Sequence, residues 1–359
     1  MKQLFISTVA LMCIMAFSDL YAQQQDVTLS VDSLHRTFVS IDTHNDAAMW
    51  ILNPEGRATR PRQVSFPMMR QGLVDVAFFA AYIGQGPRTS EGHQKAFETV
   101  NAMLAALKDY VAERSDEAAI AYTPEDMHRI KAQGKSAMVL AIENGYCLDK
   151  DITRLQHFAD LGVKAITLCH NRNNEVCDSS QDTLEHGGLS AFGRELIKEM
   201  NRLGIMIDVS HASKETTLQA CALSEQPIIA THSGVYALKN FTRNISDEEI
   251  IAIAKKGGVI QVAIGGFFLS DLPRSEVTVK DIVNHIDYVV NLVGIDHVGV
   301  GSDFDGGAGV TDCNSMAEMK NITAELLHRG YNAEQIAKIW GENTMRMMEV
   351  VQNLLVLNN

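Results

Sequence analysis

Short runs of β-branched and aliphatic residues alternate along this chain with longer stretches in which apolar positions recur at helical spacing. Eight runs between residues 38 and 302 read as buried strands: Val39–Asp42, Val74–Tyr82, Ala137–Ile142, Ala165–Leu168, Ile205–Val209, Ile228–Thr231, Val259–Val262 and Val298–Gly301. Helical patterns fall between them at Lys95–Glu113, Leu189–Leu203, Asp247–Lys256, Val279–Val293 and Met316–Arg329. Gly204, Gly257 and Gly294 follow three of these, where a left-handed residue ends a helix at little steric cost. Ser246 before Asp247 supplies an N-terminal cap and an acidic first turn. Strands alternating with helices build a parallel α/β sheet, and eight of them suit closure into a (β/α)8 barrel of the TIM type. An open doubly wound sheet is disfavoured, because no Gly-x-Gly-x-x-Gly turn follows the first strand.

No internal repeat or flexible linker divides the chain, so residues 23–359 are read as one barrel domain. Segment Asn53–Arg70, rich in Pro and Arg, reads as a long loop after the first strand, where barrel enzymes place substrate contacts. Ahead of the domain, Lys2 precedes an apolar stretch from Leu4 to Phe17 and a segment ending Leu20-Tyr21-Ala22. This is the layout of a signal peptide cleaved after Ala22, and the apolar stretch is short for a membrane span. Export to a periplasm or outside the cell is therefore expected, with no stable membrane anchor, since Leu354–Leu357 is too brief for a lipid-anchor tail. After cleavage Cys147, Cys169, Cys177, Cys221 and Cys313 remain, an odd number without a Cys-x-x-Cys pair, so no disulfide is assigned. A formal net charge of −13 without a basic cluster argues against nucleic acid or an anionic membrane as partner.

The chemistry is carried by His44, Asp46, Glu143, His211 and His232, each at the end of a strand run, in separated stretches of the chain. Strand ends of a β/α barrel converge on one mouth, so these five can meet around metal and support metal-assisted hydrolysis. His44 and Asp46 lie two apart in extended chain and point to one side, whereas His285 and Asp287, with the same spacing, fall in a helical pattern and diverge. His285 is accordingly given a surface or packing role. Glu143 is a carboxylate at a buried strand end and suits a bridge between two cations. His170 occupies the same topological position, as a further ligand or, preferably, a donor to a developing oxyanion. Asp303 faces the mouth as proton carrier or anchor for an ammonium, while Asp305 reads as a turn residue bonding its own backbone. Arg243, in the loop after the His232 strand, could clamp a carboxylate through two parallel hydrogen bonds.

The segments Ile41-Asp42-Thr43-His44-Asn45-Asp46, Glu143-Asn144-Gly145, Leu168-Cys169-His170-Asn171, Asp208-Val209-Ser210-His211-Ala212-Ser213, Thr231-His232-Ser233 and Gly301-Ser302-Asp303-Phe304-Asp305-Gly306 resemble, in order and interval, those of the membrane (renal-type) dipeptidases. The resemblance implies an amidohydrolase-type barrel with two zinc ions per chain. His44 and Asp46 would hold one, His211 and His232 the other, and Glu143 would bridge them. It further implies that His170 contacts the tetrahedral intermediate, Arg243 the substrate's carboxylate and Asp303 its ammonium. Dipeptides become the expected substrates, cleaved by a metal-activated hydroxide. A homodimer stays open, and neither the animal disulfides nor the lipid anchor of the family carries over. The alternatives are a related barrel amidohydrolase acting on cyclic amides, lactones or β-lactams, and a catalytically silent exported protein that binds metal or ligand. A carboxylated lysine bridge, common in the first, has no lysine at position 143, and a pure binder needs no proton carrier.

Overall fold

A computed structural model describes residues 31–57 and 61–357. The signal-peptide reading of residues 1–22 lies outside the described residues. Eight parallel strands follow one another around the barrel: β1 (Ile41–Asn45), β2 (Val76–Tyr82), β4 (Ser136–Glu143), β5 (Ala165–Thr167), β6 (Met206–Asp208), β7 (Ile228–Ser233), β8 (Val259–Val262) and β9 (Val298–Val300). They correspond one for one to the eight runs of the sequence. A ninth, β3 (Ala118–Ile120), pairs outside this path with β4. Its three residues carry too little periodicity to register as a strand.

The barrel is nearly closed, and the seam between β9 and β1 is held by polar groups rather than a continuous ladder. Asp46 N donates to Phe304 O at 2.9 Å and Asp303 N to His44 O at 3.0 Å. The buried Asp42 carboxylate accepts from Ser302 N at 2.6 Å and Ser302 Oγ at 3.0 Å. Both segments that carry site residues are thereby locked to each other.

Helices occupy the predicted positions, at Ser90–Ala112, Ala191–Leu203, Asp247–Lys255 and Val279–Val293. Ser246 forms a capping box with Glu249, and Gly204 closes its helix with φ 64°, a conformation that a Cβ would strain. The Asn53–Arg70 segment is not wholly loop: Ser65 caps a helix over Phe66–Gln71, with proline in its first turn. The run Met316–Arg329 splits into a short 3-10 turn and a helix at Lys320–His328. All five cysteines in the described residues are buried and free. No helix among the described residues is long and apolar enough to cross a membrane.

Candidate active site

Parallel strands deliver their C-terminal ends to one mouth, and the side chains singled out from sequence gather there. His44, Glu143 and His232 lie within the last residues of β1, β4 and β7, and Asp46 follows directly on β1. His170, His211 and Asp303 each stand in the turn that follows β5, β6 and β9. The backbone at three of these strand ends takes unusual conformations: φ is 68° at His211, 59° at Asp303 and 89° at Asn144, next to Glu143. Left-handed residues with a Cβ are uncommon, and strain of this kind persists where surrounding contacts over-determine it. At Gly306 a Cβ would collide with the Asp46 and Asp303 carboxylates, so only glycine lets this turn approach them.

Glu143 is the centre of the cluster. Its Oε1 lies 2.9 Å from His211 Nε2, 3.5 Å from His232 Nε2 and 3.9 Å from His170 Nε2. Its Oε2 lies 3.6 Å from His44 Nε2, which is 3.8 Å from the Asp46 carboxylate. The His44 and His232 rings stack at 3.8 Å, and His211 Nε2 approaches His232 Nε2 at 3.0 Å. Metal-capable atoms fall within 4.8 Å of one another in three groups: His44, Glu143 and His232; Glu143, His170 and His211; and His44, Asp46 and Asp303. Glu143 belongs to two groups, as does His44.

Hydrogen bonds fix which nitrogens face inward. Thr231 Oγ1 donates to Asp208 Oδ2 at 2.6 Å, so its remaining capacity toward His232 Nδ1, 3.0 Å away, is as acceptor. His232 therefore carries its proton on Nδ1 and turns the Nε2 lone pair toward Glu143. Asn171 Oδ1, 2.8 Å from His211 Nδ1, accepts in the same sense. Burial holds both rings well below the usual imidazole range, with the nearby Arg243 charge adding to the effect. Both are neutral and available as ligands.

The remaining groups show what the site lacks within its own chain. Burial disfavours a charged His44, yet the Glu143, Asp46 and Asp303 carboxylates outweigh it and raise the ring to about 10. Burial raises Asp303 to about 7, with the Glu143 charge opposing its ionisation as well. His44 Nε2 is nonetheless buried and makes no hydrogen bond. Buried polar atoms are normally satisfied, and an imidazole orphaned among carboxylates fits a divalent cation, which would satisfy nitrogen and oxygen donors together.

The cluster opens into a cavity of about 360 Å3 lined by Asp46, Glu143, His170, Arg243, Asp303 and Phe267, among others. Arg243 is buried, its guanidinium donating to His232 O at 3.3 Å and standing 5.4 Å from the Phe268 ring centroid. All eight residues expected at the mouth are thus brought together. His285 is not: it is buried, accepting from Val235 N at 2.9 Å and facing Leu269 O at 3.0 Å, a packing role. Asp305 corrects the sequence reading. Its φ of 65° suits a turn, but its carboxylate accepts from Trp50 Nε1 at 3.0 Å and Gln63 N at 3.1 Å, clasping the first loop to the last. The contributions of Asn171, Thr231 and Asp208 went unread. Asn171 and Thr231 adjoin site histidines in the quoted segments, so adjacency was the available signal.

A parallel barrel with imidazoles and carboxylates converging at its mouth defines a metal-dependent hydrolase class. The chain belongs, more narrowly, to the membrane dipeptidase family, peptidase family M19, whose family description matches residues 29–357. It is 30% identical over 297 residues to the dipeptidase tcpJ of Claviceps purpurea, covering 81% of this chain and 70% of that protein. It is also 30% identical over 353 residues to the dipeptidase ataJ of Aspergillus terreus, covering 88% of this chain and 85% of that one. Among solved structures, the probable dipeptidase PvdM from Pseudomonas aeruginosa superposes with a TM-score of 0.86 at 29% identity, covering 92% of this chain and 99% of that one.

Proposed function

We propose that this protein is an exported zinc-dependent dipeptidase holding two zinc ions per chain. The observation that carries the reading is the double use of Glu143, whose two carboxylate oxygens face different imidazoles. His44 and Asp46 would hold one ion, His211 and His232 the other, with Glu143 between. When bound, such a pair supplies Lewis acidity to a carbonyl and acidifies water toward neutral pH.

The chain's own residues supply binding and proton handling. Arg243 receives the substrate carboxylate in a buried setting where a charge-assisted bond is strong. Asp303 receives the ammonium at the other end, so a substrate spanning both must be short. Burial lowers His170, so the ring is neutral at pH 7 and can donate an N–H to the carbonyl oxygen as negative charge develops. Asp303 groups with His44 and Asp46 at the mouth, where its carboxylate can also carry a proton to the departing amine. The bond broken is the C–N bond, water supplying OH to the acyl side and H to the amine.

The test is hydrolysis of Ala-Ala, N-acetyl-Ala-Ala and Ala-Ala amide by zinc-loaded and chelator-treated protein. The reading expects cleavage of the free dipeptide alone, lost with chelator and restored by zinc. Equal cleavage of the blocked compounds would overturn the two-ended recognition.

A further inference from the structure

The cavity wall nearest Arg243 is aromatic, and the proton and metal chemistry leaves it unused. Phe241, in the loop after β7, meets Phe267 at 5.8 Å and Phe268 at 5.6 Å between ring centroids; Phe267 and Phe268 lie 4.5 Å apart. All three line the cavity. Phe268 is buried and anchors the trio, whereas Phe267 is 45% exposed. A large apolar ring left open inside a cavity gains by covering it, since apolar area removed from water stabilises by roughly 25 cal/mol per Å2. The backbone accommodates this wall specifically: a Cβ on Gly265 would press on both Phe267 and Phe268 at about 3 Å.

Resting on the dipeptidase reading, we propose that Phe241, Phe267 and Phe268 receive the side chain of the substrate's C-terminal residue, making large apolar residues the preferred class at that position. Arg243 fixes the register, for its guanidinium carbon stands only 5.4 Å from the Phe268 ring centroid. A carboxylate held by Arg243 places its own Cα, and hence its own side chain, beside the aromatic wall. Asp303 instead groups with His44 and Asp46, so the amino-terminal residue lies toward that side. Phe267 is the specificity-determining residue, because it is the ring with most area still to cover.

Steady-state kinetics of the zinc-loaded protein on Ala-Gly, Ala-Phe and Phe-Gly test this. Covering a ring of this size is expected to raise kcat/KM for Ala-Phe about tenfold over Ala-Gly, with Phe-Gly gaining less. In Phe267→Ser the ratio of Ala-Phe to Ala-Gly should fall about fivefold, chiefly through KM, with Phe241→Ser as a second variant acting in the same direction. Ala-Phe no better than Ala-Gly, or a preference displayed by Phe-Gly instead, overturns the wall assignment while leaving a dipeptidase. Failure to cleave any of the three overturns the dipeptidase reading and the inference together.

Discussion

The two ends of the barrel treat polar groups in opposite ways. At the floor, where strands begin, His35 bonds Leu73 O at 3.0 Å and Thr323 Oγ1 at 2.7 Å. Lys131 pairs with Asp75 at 2.7 Å and also donates to His35 O and Phe38 O. Asp75 accepts in addition from Ser40 N at 2.9 Å. Each of these groups finds its complement within the chain. At the mouth, four imidazoles crowd a single carboxylate, two ring nitrogens face each other at 3.0 Å, and His44 Nε2 has no hydrogen bond. His35 is as buried as the histidines His44, His211 and His232 at the mouth, so burial alone does not set the two ends apart. A network closed on itself contributes stability, whereas a network left open prepares for something bound.

The comparison predicts opposite phenotypes. Glu143→Gln should lower kcat/KM by roughly 1,000-fold with loss of bound metal, while the metal-free fold keeps its melting temperature. Dipeptide hydrolysis, elemental analysis and thermal denaturation check the three parts. Retained activity in the Glu143→Gln variant would remove Glu143 from the centre of the site.

Acid should act on the floor through His35. Burial, aided by the Lys131 charge, lowers His35 from 6.5 to about 4 despite its bond to Leu73 O. As pH falls from 6.5 toward 4 the unfolded chain takes up a proton that the folded chain refuses, so stability is lost across that window and constant above it. A gap of about 2.5 between the two acidity constants is worth roughly 3 kcal/mol. Between pH 7 and 4.5, His35→Gln should lose correspondingly less stability than the native protein in denaturant titrations. Equal losses would contradict the assignment.

Lys131→Met leaves Asp75 without its cation and should cost about 2 kcal/mol, with kcat/KM on dipeptides within about threefold of native once folded. Smallest is Thr231→Val, which removes the acceptor fixing the His232 tautomer. Metal affinity should weaken about tenfold, read by competition with a chelator of known affinity, while the fold is kept.

Much of this was legible because barrels obey simple periodicities. All eight barrel strands and five of the helices follow from apolar runs, several of them bounded by glycine and capping residues. The site was legible because strand ends share one mouth. His44 and Asp46 differ from His285 and Asp287 only in the surrounding period, and that period sends one pair to the mouth and the other along a helix, where Asp287 bonds Arg329 and Tyr331. What escaped reading depends on contacts distant in sequence. Asp305 looks like a turn residue until Trp50 and Gln63 reach it, and nothing local in Phe241, Phe267 and Phe268 reveals that they meet. Asp208 and Thr231 act through geometry at 2.6 Å that neither segment encodes alone.

The central claim, that the mouth is built to hold a pair of metal ions, is tested most directly by titrating zinc into chelator-stripped protein while recording bound metal and dipeptide hydrolysis together. Activity should rise from zero and level off at two zinc ions per chain. Full activity in protein verified as metal-free would contradict the account.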